Sequence, residues 1–228
     1  RKLSFSVPTG NFGDIYAGYV AKKMGLNINK LIVATNENDI LNRVIETGEY
    51  KPRIAKSSIT PSMDIQVASN FERLLFDLLK GDDKKVSTYM NKLTSDGNFK
   101  LNQEELQILK KDFIGRSIND NSTLEIINHV YKLNNYIIDP HTATGVAPIL
   151  LGNVEESEEI FENSSDVVAL ATADAYKFIE TVEPEIKKVD VNSKVSIPQK
   201  LTEINKKKEN FEIINNDISK IKGYILQK

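Results

Sequence analysis

The chain has 228 residues, 40% hydrophobic and 27% charged, which is ordinary for a globular protein of one to two domains with a sizeable core. Thirty basic against 32 acidic residues leave a formal charge of −2, so nothing draws the chain as a whole to nucleic acid or an anionic membrane. The absence of cysteine excludes disulfides, thiolate metal sites and thiol nucleophiles, and two histidines, His129 and His141, leave little room for a metal site, so none is expected.

In chain order, Lys2–Val7 reads as a strand stopped by Pro8. A turn-rich loop, Thr9-Gly10-Asn11-Phe12-Gly13-Asp14, leads into a helix whose apolar stripe is Ala17, Val20, Ala21 and Met24, closed by Gly25. Lys30–Thr35 is a second, buried strand, so strand, loop, helix and strand form a right-handed βαβ unit with parallel strands. A helix over Ile40–Thr47 ends at Gly48, and Pro52–Ser62 is a loop. Further helices are predicted over Met63–Leu79, Ser87–Leu93, Asn102–Phe113, Ser122–Leu133 and Thr142–Leu151, the last despite Pro148. Asp166–Thr172 is a third strand, and the Lys-, Glu- and Asn-rich stretch from Ser193 carries isoleucines at amphipathic spacing. The reading is an α/β chain: a parallel sheet flanked by helices over residues 1–190, a helical insertion at about 80–135, and a helical, charged tail over 191–228. No apolar run approaches the ~18 residues of a membrane helix, and no signal-peptide pattern opens the chain. The sequence opens on Arg1 and a strand follows almost at once, so a piece of a longer protein is expected.

The glycine loop is the first candidate for chemistry. Two glycines between a strand and a helix can turn several backbone N–H groups towards one anion, at the positive end of the helix dipole. The spacing matches neither the dinucleotide nor the P-loop fingerprint. Two readings stand: a phosphate nest, or a capping turn with Asp14 as N-cap.

Six blocks then carry a resemblance. FSVPTGNFGD (Phe5–Asp14), with Ala17-Gly18 and Met24-Gly25-Leu26 behind it, is followed in order by ATNEND (Ala34–Asp39), PSMD (Pro61–Asp64), SNFER (Ser69–Arg73), DPHTA (Asp139–Ala143) and VALATADAYKF (Val168–Phe178). The chain thereby resembles the carboxyl-terminal half of the threonine synthases, pyridoxal-phosphate enzymes of fold type II, the tryptophan-synthase-β-like fold. The resemblance implies pyridoxal 5′-phosphate as cofactor, its phosphate cradled by Gly10, Asn11, Phe12, Gly13 and Asp14 and its ring nitrogen met by the hydroxyl of Thr172. It implies a phospho-amino-acid substrate, with O-phospho-L-homoserine and water giving L-threonine and phosphate, and a cytoplasmic setting. Where the family reads Thr-Ala-His-Pro, this chain has Thr172-Ala173-Asp174-Ala175. Arg73, His141 and Asp174 are candidate substrate contacts. Against these stand an ion pair of Arg73 with Glu72, a structural His141 and a solvated Asp174; His129 reads as structural. By the resemblance, the catalytic Schiff-base lysine is expected upstream of Arg1, and no lysine of this chain fits its motif; Lys177 matches a different one. The expected partner is therefore the amino-terminal half of the same protein. The alternatives are a non-catalytic phosphometabolite-binding paralogue and a pyridoxal-phosphate lyase acting on another phospho-amino acid.

Overall fold

The alternating segment LSFSVP and the segment INKLIVAT, with its apolar run Leu31–Ala34, form β1 (Leu3–Pro8) and β2 (Ile28–Thr35), which pair in parallel with Val7 opposite Val33. Between them runs α1 (Gly13–Lys23), the predicted crossover, and Gly25 closes it at φ +107°. The description comes from a computed structural model and covers residues 2–151, 166–204 and 206–227, so Arg1 lies outside the described residues. Next come α2 (Ile40–Thr47), ended at Gly48 as expected, and β3 (Glu49–Tyr50), which pairs antiparallel with β4 (Phe99–Lys100). The helices α3 (Phe71–Leu78), α4 (Asp83–Ser95), α5 (Gln103–Asp112), α6 (Asp120–Asn134), α7 (Pro140–Leu150) and α8 (Ile179–Lys187) complete the first compact unit, which ends at Val195. A second unit, 196–228, contains α9 (Gln199–Ile204) and α10 (Ile218–Leu226).

The main sheet has the order β5-β2-β1-β6, all parallel, with β5 at Phe113–Ser117 and β6 at Asp166–Ala169. This is the expected α/β sheet flanked by helices. One face carries the larger core, in which Val7, Leu31 and Val33 meet Phe12, Ile15 and Tyr19 with the aromatic series Phe71, Tyr50 and Phe99. Alternation along the strand sends Ser6 to the other face, where its hydroxyl donates to the Gly145 carbonyl of α7. There α6, α7 and α8 bury Ile126, Ile127, Ala143, Ala147, Val182 and Ile186.

Five expectations are corrected. The buried face of α1 is Ile15 and Tyr19, whereas Met24 is 84% exposed and Val20 37%. Two large side chains, one of them aromatic, bury far more area than a stripe with two alanines, so they set the rotation of the helix. The stretch 80–135, read as helical, contributes β5: the predicted Asn102–Phe113 helix stops at Asp112, and FIGRS pairs with β2. Its glycine disguised it, and Gly115 is there because an added Cβ would lie 2.6 Å from Asn42 Oδ1 and 3.0 Å from Asn42 Cα on α2. The predicted Met63–Leu79 helix starts only at Phe71, after a 3-10 turn at Pro61–Met63. The cause is Asp64, which turns inward to accept bonds from Asn36 Nδ2 at 2.8 Å, Asn38 Nδ2 at 3.0 Å and the Ser58 amide at 3.0 Å. The start of α7 is Pro140 and not Thr142, since Asp139 caps it through the His141 amide at 2.8 Å and Pro140 sits where the missing N–H costs nothing. Finally, the strand predicted as far as Thr172 ends at Ala169.

Candidate functional site

Parallel strands end on one side of their sheet, so the loops after β1, β2 and β6 converge there. The loop after β1 is tied down residue by residue. Thr9 donates its hydroxyl to the Val7 carbonyl at 2.6 Å and its amide to the Ala34 carbonyl at 2.8 Å. Gly10 presses on the 61–63 turn so closely that a Cβ would stand 2.8 Å from the Ser62 carbonyl oxygen. Asn11 Oδ1 accepts from the Ser69 amide at 2.6 Å and the Ser69 hydroxyl at 3.0 Å, and its carbonyl accepts from Asn70 Nδ2 at 2.9 Å. The SNFER block thus braces this loop through Ser69 and Asn70.

Phe12 is the N-cap of α1 and sits in the left-handed region at φ 62°, ψ 10°. That backbone costs a non-glycine residue roughly 1–2 kcal/mol. It is held because the ring is buried edge-on to Phe71 at 5.5 Å and against Phe113 at 5.6 Å, a burial of ~2 kcal/mol or more. Among the described residues no side chain caps the helix: Phe12 is the N-cap and Asp14 lies exposed in the first turn, so its reading as N-cap is corrected. The first amides of α1 stand at the positive end of the helix.

Beside them is a cavity of about 250 Å³ with three walls. Pro8, Gly10 and Asp14 form the first, Ser62 and Met63 with His141 the second, and Thr172, Ala173, Lys177 and Phe178 the third. His141 is buried, its ring 4.7 Å from that of Phe178. Its Nε2 accepts the Ser62 N–H at 3.3 Å, which puts the ring hydrogen on Nδ1, 3.3 Å from Asp139 Oδ1. Burial pushes the Asp139 carboxyl up, but the bonds it receives from His141 and Thr142 outweigh that and hold it below the usual carboxylate range. The Thr172 amide donates to Thr142 Oγ1 at 3.2 Å, and Thr172 itself is exposed on the cavity wall.

Of the residues expected from sequence, Gly10, Asp14, His141 and Thr172 line this cavity, and Asn11, Phe12 and Gly13 shape the loop beside it. Two do not reach it. Arg73 is exposed in a separate groove of about 430 Å³ with Tyr16, Ser69, Glu72, Phe76 and Val86, and among the described residues no ion pair joins it to Glu72. Asp174 caps the 3-10 turn Ala175–Phe178 by accepting the Tyr176 amide at 2.9 Å. His129 is exposed in a polar groove between α6 and α8. The Schiff-base lysine expected upstream of Arg1, and Arg1 itself, lie outside the described residues. Among the described residues the lysine on the cavity wall is Lys177, which belongs to the 3-10 turn after β6. Ser62, Met63, Lys177 and Phe178 are wall residues that sequence reasoning did not assign to the site. The blocks PSMD and DAYKF were the signal, and Lys177 brings a cation to the wall, its Nζ 5.6 Å from the Phe178 ring centre. Among the described residues no cluster of three or more His, Asp or Glu could hold a metal, and no helix is long and apolar enough to cross a membrane.

Comparison with known proteins extends the resemblance across the chain. Residues 142–225 match the family model described as threonine synthase, C-terminal. The threonine synthase of Pseudomonas aeruginosa is 37% identical over 228 residues, covering 100% of this chain and 46% of that protein. That of Saccharomyces cerevisiae is 35% identical, covering 99% and 46%. The crystal structure of threonine synthase from Brucella melitensis with bound pyridoxal phosphate superposes with a TM-score of 0.86 at 37% identity, over 100% of this chain and 46% of that one. The yeast enzyme superposes at 0.85 and 34% identity, over 99% of this chain and 47% of that one. The fold is therefore fold type II, and the chain spans about half the length of the relatives it matches.

Proposed function

We propose that this chain, which matches the carboxyl-terminal half of the threonine synthases along its whole length, forms the phosphate-binding and ring-facing side of a pyridoxal-phosphate site. Joined to an amino-terminal half that supplies the lysine expected upstream of Arg1, it would convert O-phospho-L-homoserine and water to L-threonine and phosphate as a carbon–oxygen lyase. One observation carries the reading: a single cavity has the first turn of α1, through Asp14, on one wall and the exposed Thr172 on another. The residues present fit the group. A volume of about 250 Å³ suits one small ring with its phosphate, below the ~300 Å³ and more of drug-sized ligands. The fully buried Phe12 ring keeps side-chain bulk out of the space before the helix amides.

When bound, pyridoxal phosphate supplies the electron sink that labilises bonds at the substrate's α and β carbons. The chain's own residues do the rest. The amides of Gly13, Asp14 and Ile15, at the positive end of α1, would hold the phosphate dianion, and Lys177 on the same cavity would offset the unfavourable carboxylate of Asp14. The Thr172 hydroxyl would meet a ring nitrogen as a neutral hydrogen-bond partner. Met63, Phe178 and Pro8 exclude water from the ring's surroundings. His141 keeps the Ser62 wall in register and touches no phosphate oxygen in this reading.

The test is phosphate release from O-phospho-L-homoserine by the complete protein loaded with pyridoxal phosphate, with threonine as co-product. Turnover of another amino acid with no phosphate released would overturn the substrate assignment. Tight binding of phosphorylated amino acids without any turnover would identify the non-catalytic paralogue instead.

A further inference from the structure

We infer that the carboxylate of Asp139 is a positioning residue that sets two walls of the cavity at once, by turning His141 and Thr142 into acceptors aimed at different loops. The geometry stands on its own; only the identity of what the walls hold rests on the cofactor reading above.

The Asp139 side chain is 0% exposed and uses both oxygens. Oδ1 accepts the His141 amide at 2.8 Å and the Thr142 amide at 3.3 Å, and it faces His141 Nδ1 at 3.3 Å. Oδ2 accepts the Thr142 hydroxyl. A neutral imidazole has one N–H and a hydroxyl has one O–H. The Thr142 hydrogen is given to Oδ2, and the His141 ring hydrogen, on Nδ1, lies 3.3 Å from Oδ1 without the geometry of a hydrogen bond, so in both residues the lone pair left over is on the side away from the carboxylate. The His141 Nε2 lone pair meets the Ser62 N–H at 3.3 Å, and the Thr142 oxygen meets the Thr172 N–H at 3.2 Å. Ser62 and Thr172 are 110 residues apart in sequence, yet both amides are held through one buried carboxylate. Were the anion absent, His141 could carry its hydrogen on Nε2 and Thr142 could rotate its own. Each would then present a donor to a donor.

Capping α7 does not require this arrangement. An N-cap needs one oxygen for the first amides, and asparagine serves there as well as aspartate. The second oxygen, receiving the Thr142 hydroxyl, is what a cap alone leaves unexplained. That difference defines the experiment. In the complete protein, Asp139→Asn keeps one oxygen for the cap but replaces the other with an N–H₂ group that can only donate, so one or both walls lose their register.

We expect amide hydrogen exchange at Ser62, Thr172 or both to accelerate about tenfold, the equivalent of one net hydrogen bond, while β2 and the first turn of α7 exchange as in the parent. Thr142→Val should release Thr172 alone, and His141→Phe, which keeps the ring against Phe178, should release Ser62 alone. The dissociation constant for pyridoxal phosphate should rise about tenfold in Asp139→Asn. The inference is overturned if Asp139→Asn leaves both amides exchanging as in the parent, which would make the carboxylate a cap and nothing more. It is overturned equally if Thr142→Val and His141→Phe each loosen both walls alike. Should Asp139→Asn fail to fold, the two single variants still decide the matter. If the parent takes up no pyridoxal phosphate but the exchange pattern holds, the cofactor reading fails and the positioning role stands.

Discussion

Gly10 gives the sharpest prediction, because what surrounds it is backbone. An alanine Cβ there would lie 2.8 Å from the Ser62 carbonyl oxygen, 3.0 Å from Met63 Cα and 3.1 Å from Ile65 Cδ1. Comfortable contacts run at ~3.5 Å or more, so a movement of roughly half an ångström is demanded. Ile65 can yield by rotating its side chain. Ser62 and Met63 cannot, without stretching the bond from the Ser62 amide to His141 that is already 3.3 Å long. Overpacking of this kind costs ~1–3 kcal/mol, and at the middle of that range a protein of this size melts roughly 4–8 °C lower. The matched control is Gly13→Ala, whose Cβ would meet only Asn70 Nδ2, at 3.4 Å, and whose place in the first turn of α1 favours alanine. Thermal unfolding by circular dichroism should show the first variant losing stability and the second keeping or gaining it. Equal melting of Gly10→Ala and the parent, or an equal loss in both variants, would refute the claim that Gly10 is required by the approach of two loops.

The same openness around Gly13 makes Gly13→Val a probe of the anion site: it should fold as the parent does yet bind pyridoxal phosphate about a hundredfold more weakly, two charge-assisted amide bonds being worth ~3 kcal/mol, and calorimetric titration checks this. Burial pushes the Glu105 carboxyl up, but Lys85, the Tyr89 hydroxyl at 2.6 Å and the Asn102 amide at 2.9 Å outweigh it and hold it below its ordinary 4.5. Its contribution to stability is therefore complete above the unfolded value and lost as pH falls through the folded one. Glu105→Gln should cost ~1–2 kcal/mol by urea unfolding at pH 7, and the gap to the parent should narrow below about pH 4. Asp64→Ala strips the acceptor from Asn36, Asn38 and Ser58 and should cost ~2–3 kcal/mol, with trypsin cutting at Arg53 or Lys56 much sooner than in the parent.

The βαβ unit was legible because Leu31–Ala34 is an unbroken apolar run buried on both faces, and because Gly25 closes its helix, as Gly48 closes the next one. The loop Gly10–Asp14 was legible as a strand-to-helix turn for the same reason. What it does with each residue was not. Both glycines read as room for an anion, but Gly10 is needed for the Ser62 turn, and the left-handed backbone falls on Phe12. That exchange is paid for by an aromatic core invisible to local spacing. β5 was hidden by its own Gly115, whose purpose appears only when α2 lies across it. Arg73 carries the charge a substrate phosphate would need and Asp174 a carboxylate that could meet a substrate's amino group, but sequence does not say which way a side chain leaves its helix or turn. Nor could spacing join Ser62 to His141, 79 residues on: only the parallel sheet brings their two loops together.

Phe12 has one further consequence. The residue that bends the loop into α1 is also a tenon in the core, wedged between Phe71 and Phe113. The disorder that a free glycine-rich loop would surrender on meeting its ligand is surrendered here when the chain folds, so binding need not bear that entropy. The grip on a ligand is then only as firm as the joint beneath it. Trimming Phe71 or Phe113, neither of which lines the cavity, should blunt affinity at temperatures where the rest of the protein is still intact.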